Sequence, residues 1–260
     1  MTDSISPHPI SEAVETIRVT VGPEITATQL AQCAELFSEN YGIWATHCKD
    51  VNPKYVPGDR VKNTVSRLKA QCLSDPERSI LVTLTKGDKL IGHAFATSWD
   101  CGEDVVGWVT QLVVERSFRR QYIATTLLLR LKRDAWSAKL TIIGLASSQP
   151  ASCSALAKFS HVRMDEVDTE FIARKARAVL QTSSVEYIKT AVLRGTLFGD
   201  ARTDGVISSV STNFPVDHTE PQEVLDEYVR RGAWKLGKLL KNDEFLILIP
   251  VLPSERFCAV

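Results

Sequence analysis

The stretch QLVVERSFRRQYIATTLL, residues 111–128, changes from the pattern of a strand to that of a helix. Apolar side chains run together up to residue 114, and from residue 123 onward they recur at helical spacing. Residues 116–133 also contain six basic residues and no acidic residue. Because a turn before a helix offers unpaired N–H groups and a positive dipole end, the stretch predicts a site for a phosphate-bearing ligand.

Hydrophobic periodicity and turn residues predict further elements on both sides. Those before residue 111 are a strand at 17–21, helices capped by Thr26 and by Asp59, a hairpin of strands 79–85 and 90–99, a polar loop at 100–104, and the start of a strand at 107–115. Those after it are a strand at 140–145, helices at 152–159, 169–181, 184–194 and 221–232, and strands at 206–213 and 244–252. Their order predicts an α/β fold, with a mixed, mostly antiparallel sheet flanked by helices and a C-terminal helical insertion.

The composition excludes several classes of protein. The 31 basic residues balance the 31 acidic ones, so the broad positive surface of a nucleic-acid-binding protein is not expected. No apolar stretch is long enough to span a membrane, and the first residues lack a secretory signal pattern. We therefore expect a protein of the cytoplasm or nucleus that binds neither membranes nor nucleic acid. Six scattered cysteines without a CxxC pair predict neither disulfides nor a metal site.

Residues 111–128 resemble the acyl-CoA signature of the GNAT acetyltransferases, in which a strand ends in a turn of the form Arg/Gln-x-x-Gly-x-Gly/Ala. The turn here is RRQYIA, residues 119–124, so its first and last positions match. Tyr122 stands where the family usually has Gly, a residue that gives room and φ freedom beside the phosphates. The order of elements over residues 17–163 is also similar to that of GNAT proteins, and the C-terminal half resembles that of fungal GNAT-like proteins.

This resemblance implies that the chain binds acetyl-CoA, or another acyl-CoA, and transfers the acyl group to an amine by direct attack in a ternary complex. It implies an acyl-CoA-binding core at 17–163, an extension at 164–260 and a flexible segment at 1–16, the first two forming a single domain. The implied donor-binding residues are Leu112, Val113, Val114, Arg119, Arg120, Gln121, Tyr122, Ile123, Ala124 and Thr125.

The catalytic residues are not evident from the sequence. Phe159 lies near the position where the family often has a Tyr that protonates the departing thiolate, and phenylalanine has no proton to donate. The signature strand carries Thr110 and Gln111 rather than a Glu, and neither side chain titrates near neutral pH. The remaining candidates for roles in the reaction, chosen for hydrogen bonding or titration, are His93, Gln111, Ser152 and His218.

Three functions remain open on this basis. The first is acetylation of a small-molecule amine, which the absence of a strongly charged tract for a histone-like partner favours. The second is acyl-CoA binding without turnover, as in a sensor or scaffold, which the missing Tyr and Glu favour. The third is acetylation of a protein lysine or N-terminus, which requires an open groove, whereas a lid formed by residues 165–200 favours a small amine.

Overall fold

A computed structural model describes residues 14–200 and 204–252 of the chain. Eight strands form one sheet, in the order β1-β2-β3-β4-β5-β8-β7-β6. The strands are β1 (Glu15–Val21), β2 (Ser79–Lys86), β3 (Lys89–Cys101), β4 (Asp104–Val114), β5 (Ile142–Ser147), β6 (Val192–Arg194), β7 (Ser209–Ser211) and β8 (Asp243–Pro250). Only the β4–β5 pair is parallel within these residues, so the chain has the mixed, mostly antiparallel sheet that the sequence predicts.

Helices flank the sheet, as expected for an α/β fold. They are α1 (Ala27–Asn40), α2 (Cys48–Val51), α3 (Val65–Cys72), α4 (Ile123–Lys132), α5 (Pro150–Ala157), α6 (Thr169–Thr182), α7 (Glu186–Lys189) and α8 (Thr219–Arg230). The capping box predicted for α1 is present, because the Thr26 side chain accepts from the amide of Gln29 and the Gln29 side chain accepts from the amide of Thr26.

The two faces of the sheet hold separate apolar layers. Leu81 and Phe95 pack against α1 and α3, whereas Ile80, Val82 and Ala94 belong to the larger core that includes the buried face of α4. This division follows from the alternation of side chains along a strand. Helix α4 begins after the turn that follows β4, beyond the C-terminal end of this central strand.

Several predicted boundaries in the first half of the chain are wrong. Helix α3, which was expected to be capped by Asp59, begins after Thr64, whose side chain accepts from the Arg67 amide. The segment that follows Asp59 is extended instead, because Arg60 pairs with Ile43 in a β-bridge. The predicted polar loop at 100–104 is a tight turn between β3 and β4. The segment predicted to be flexible extends to residue 16, but β1 already begins at Glu15, and residues 1–13 lie outside the described part.

The C-terminal half also departs from the prediction. Residues 184–194 form the short α7 and the strand β6 instead of one helix. Helix α6 falls within residues 165–200, the segment of the predicted lid. It packs on β3 and β8, and its Ile172, Ala176 and Val179 are fully buried in the main core.

Among the described residues, no helix has both the length and the apolar character needed to cross a membrane.

Candidate functional site

The parallel strands β4 and β5 separate shortly after they meet. They pair only from Val106 to Trp108, opposite residues 142–144. At Gly144, the last residue of this pairing, an added Cβ would lie 2.8 Å from the Trp108 ring. Beyond this point β4 bulges at Thr110 against β3, and a cavity of about 140 Å³ opens between β4 and β5. Its lining includes Phe37, Tyr41, Gln71, Thr110, Gln111, Leu112, Ser147, Ser152, Tyr187, Thr212, Phe214 and Glu244.

Glu244 is the acidic residue of this lining. It is the second residue of β8 and is only 8% exposed. Burial raises its pKa to about 7 and the neighbouring Asp243 adds to the rise, while the Thr212 hydroxyl opposes it. A carboxyl group that titrates near neutral pH can both accept and release a proton, which is the property required of a general base. This residue was missed in the sequence because it opens an otherwise apolar strand.

Two tyrosines lie in the same cavity. Tyr187, in α7, donates its hydroxyl to the backbone carbonyl of Thr110 at 3.2 Å. Burial, reinforced by the negative charge of Glu244, raises the pKa of both Tyr41 and Tyr187 well above its usual value. Both hydroxyls therefore keep their protons at neutral pH. Phe159, by contrast, is fully buried in the core and does not line the cavity.

The four candidate residues from the sequence divide into two pairs. Gln111 and Ser152 line the cavity, whereas His93 and His218 do not. His93 is fully buried behind Gln111 and donates from Nε2 to Gln111 Oε1 at 2.7 Å. Burial lowers the pKa of His93 to about 4, so its ring is neutral at pH 7. His218 immediately precedes α8, and burial also lowers its pKa.

The turn after β4 takes a left-handed backbone conformation at the position where the family usually has Gly. The φ angle of Tyr122 is 61°, and its side chain is 73% exposed, with Lys158 Nζ 5.2 Å from the ring centroid. Tyr122 therefore has the left-handed backbone conformation that glycine adopts readily, and its ring points into solvent. The first intrahelical hydrogen bond of α4 runs from Thr126 to the Tyr122 carbonyl, so the amides of residues 123–125 have no intrahelical acceptor.

Replacing Tyr122 should affect stability according to backbone preference. We expect Tyr122→Val to lower the free energy of unfolding by about 1–2 kcal/mol, because a β-branched residue is strongly disfavoured at positive φ. Tyr122→Gly should unfold at a urea concentration equal to or above that of the original chain, since glycine removes the strain. Equal destabilisation by the two substitutions would show that the Tyr122 side chain, rather than its backbone conformation, matters.

Three arginines and one glutamate surround an open depression beside this turn: Arg116, Arg119, Arg120 and Glu220. Arg119 donates to the backbone carbonyls of Asn40 and Val114 and to the Glu220 carboxylate. It thereby joins the ends of α1 and β4 to the start of α8. Arg116 and Arg120 are exposed.

The residues expected to bind the donor differ in burial and in the groups that they expose. Leu112 contributes to the cavity wall, whereas the Val113 side chain is buried against α1 on the face that carries Leu36 and Phe37. The Val114 carbonyl accepts from Arg119 Nε at 3.4 Å. Gln121 is exposed in the turn, and Ile123 is buried beneath it. The amides of residues 123–125 without intrahelical acceptors thus lie in the same turn as the guanidinium groups, and these are the kinds of group that bind a pyrophosphate.

Glu244 gives the chain a testable pH dependence of stability. Its folded pKa of about 7 lies above the unfolded value of about 4.3, so between these two pH values the folded state binds more protons than the unfolded state. This contribution is fully present at low pH and is lost as the pH rises to about 7. Glu244→Gln should therefore raise the free energy of unfolding by ~3 kcal/mol at pH 8 but not at pH 4, as measured by urea denaturation. A difference independent of pH would contradict this assignment.

The part of the chain within 14–200 and 204–252 contains no group of three or more His, Cys, Asp or Glu side chains arranged to hold a metal ion. The five cysteines in these ranges are buried free thiols, and Cys258 lies outside them.

Comparison with known proteins gives similar structures of low sequence identity. The chain is similar to the ribosomal-protein-S18-alanine N-acetyltransferase from Escherichia coli, with 14% identity, a TM-score of 0.38, and coverage of 56% of this chain and 76% of that one. An acetyltransferase of the GNAT family from Streptococcus pneumoniae also has 14% identity and a TM-score of 0.38, with coverage of 91% and 99%. An aminoglycoside 6'-N-acetyltransferase complexed with coenzyme A has 18% identity, a TM-score of 0.34, and coverage of 50% and 61%.

No curated protein sequence matches the chain. A match to a family as a whole is found for residues 33–160, which correspond to the model described as the Acetyltransferase (GNAT) family. These residues include the end of β4, the arginine-rich turn and helix α4. The GNAT family model thus matches residues 33–160, just under half of this chain.

Proposed function

We propose that this protein transfers an acetyl group from acetyl-CoA to the amine of a small molecule. The observation that carries the proposal is the buried Glu244 carboxyl, which faces the cavity between β4 and β5 and has a pKa of about 7. A titratable group at this point supplies the proton acceptor that the signature strand lacks. The match of residues 33–160 to the GNAT family model supports the reaction class.

In this proposal the donor lies along the end of β4 and across the turn. The free amides of residues 123–125, together with Arg116 and Arg120, would neutralise the pyrophosphate. Backbone groups of residues 112–114 would hold the pantetheine arm in the gap between the strands. The thioester supplies the electrophilic carbonyl, and the cavity is the place where an amine meets it.

The residues of the cavity can serve each proton transfer. Glu244 would take a proton from the ammonium group of the acceptor, leaving a neutral amine to attack the thioester carbonyl. Gln111, which His93 holds by a 2.7 Å hydrogen bond, would direct its amide N–H groups at the carbonyl oxygen as negative charge develops there. As the carbon–nitrogen bond forms and the carbon–sulfur bond breaks, the attacking nitrogen would release its second proton to solvent, while Tyr187 would protonate the thiolate and regain a proton from solvent. His93 is thus a positioning residue.

The size and lining of the cavity favour a small acceptor. A volume of about 140 Å³ is close to that of a cavity that binds benzene. Phe37, Tyr41 and Phe214 provide aromatic walls, and Glu244 provides the negative charge for an ammonium group. The reacting end of the substrate should therefore be a primary amine on a compact apolar group.

The proposal is tested by incubating the protein with acetyl-CoA and one amine at a time. The panel comprises phenylethylamine, butylamine, an aminoglycoside and a lysine-containing peptide, with free thiol and the mass of the product as readouts. We expect thiol release and an N-acetyl product with the compact amines. Acetylation of the peptide alone would contradict a small-molecule acceptor.

A second candidate is binding of acyl-CoA without turnover. Two positions favour it: Phe159, which has no proton to donate and is buried in the core, and Gln111, which stands in place of a Glu. This candidate predicts saturable acetyl-CoA binding without thiol release for any amine of the panel. Glu244 and Tyr187 favour turnover, since a binding protein has no need of titratable groups in the cavity.

A further inference from the structure

Helix α8 begins beside the arginine-rich turn, although 100 residues separate Glu220 from Arg120 in the sequence. Glu220, in the first turn of α8, accepts from Arg119 through Oε1, and its Oε2 lies 3.8 Å from a terminal nitrogen of Arg116. Gln149, at the start of α5, approaches the same carboxylate, with Nε2 3.5 Å from Oε1. Glu220 thus contacts both the arginine-rich turn and the start of α5.

The carboxylate of Glu220 holds the kind of position that a phosphate group would hold. Carboxylates and phosphates bind guanidinium groups through the same charge-assisted hydrogen bonds. Of the three arginines around the depression, two are within ion-pair distance of Glu220, and Arg120 is not. We infer that Glu220 competes with the phosphate groups of the donor for Arg116 and Arg119, and so sets the affinity of the chain for acyl-CoA. This inference rests on the proposed function.

Displacement of Glu220 requires only a change of its side chain. The carboxylate-bearing side chain is 45% exposed, so it can turn into solvent without leaving a buried unpaired charge. The helix itself is anchored elsewhere, through the buried Leu225 and its packing on α5. Arg119 would keep its hydrogen bonds to Asn40 and Val114 when Glu220 moves away. The phosphate groups can therefore replace Glu220 without unfolding α8.

The test uses Glu220→Gln, which keeps the shape of the side chain and removes its charge. Glu223→Gln is the matched control, because Glu223 is exposed on the same helix. Acetyl-CoA and inorganic pyrophosphate are titrated separately into each protein by calorimetry at low and high salt. We expect Glu220→Gln to bind both probes about three- to ten-fold more tightly than the original chain at low salt, with a smaller gain at high salt. Glu223→Gln should bind as the original chain does.

The outcomes distinguish this inference from the proposed function. Equal or weaker binding of both probes by Glu220→Gln would overturn the inference, because Glu220 would then position Arg119 for the ligand or play no part. Tighter pyrophosphate binding without acetyl-CoA binding in any variant would uphold the competition by Glu220 and refute the acetyltransferase proposal. Absence of binding of both probes in all variants would overturn both. Thermal unfolding of Glu220→Gln checks that the fold is retained.

Discussion

Exchanging Glu244 for Gln is expected to lower kcat for acetyl transfer by about 10²- to 10⁴-fold, the range typical of a lost general base. Glutamine is similar in size but cannot accept the proton of the ammonium group. Acetyl-CoA binding should persist, because the turn that holds the phosphates is unchanged. The activity of the original chain should rise with pH through about 7, and this inflection should disappear in Glu244→Gln.

The measurement is the rate of thiol release across pH 5–9, roughly the range in which a group with a pKa near 7 titrates fully. Asp243→Asn is the matched control, because Asp243 is also a buried carboxylic acid of β8 but does not line the cavity. Asp243→Asn should retain most of the activity, but its pH inflection should lie lower, because the Asp243 charge no longer adds to the rise in the Glu244 pKa. Unchanged kcat and an unchanged pH inflection in Glu244→Gln would assign proton removal to another group.

Reversing two charges at the turn, as Arg116→Glu with Arg120→Glu, is expected to weaken acetyl-CoA binding by about 100-fold. Both side chains are exposed, so the substitutions put repulsive carboxylates beside the phosphates without removing core contacts. Arg119 is left intact because its bonds to Asn40 and Val114 hold the ends of α1 and β4 together.

The control for this pair is Arg133→Glu with Lys139→Glu, which makes the same change in net charge at exposed positions beyond the end of α4. Calorimetry should show near-normal affinity for the control, since screening in salt limits the reach of these charges. If both double variants bind equally well, the phosphates are not held at the turn.

The fold was predictable where its determinants are local. The capping box at Thr26 and the hairpin between β2 and β3 depend on residues a few positions apart, and both are present. The start of α3 was not predictable in this way, because Asp59 and Thr64 are both good N-cap residues. Tertiary contacts decide between them, since the Asp59 carbonyl accepts from the Trp44 amide and keeps the chain extended.

The candidate site also has one part set by local sequence and another set by tertiary contacts. The turn at residues 119–124 was predictable because its basic residues, free amides and helix start are contiguous. The cavity combines Gln111 with Tyr187 and Glu244, and only the sheet order that places β8 beside β5 brings them together. The sequence contains one sign of the role of Glu244, which is that this acidic residue directly precedes the apolar run 245–249. An acidic residue at the solvent-exposed end of a strand would produce the same pattern.

The account depends most directly on the binding of acetyl-CoA by the unmodified chain. Titration of acetyl-CoA into the purified protein by calorimetry measures this binding without requiring that the acceptor be known. The expected result is saturable binding of one molecule per chain in the micromolar range. Absence of binding at millimolar acetyl-CoA would contradict the donor site at the turn, and with it the proposed acetyl transfer.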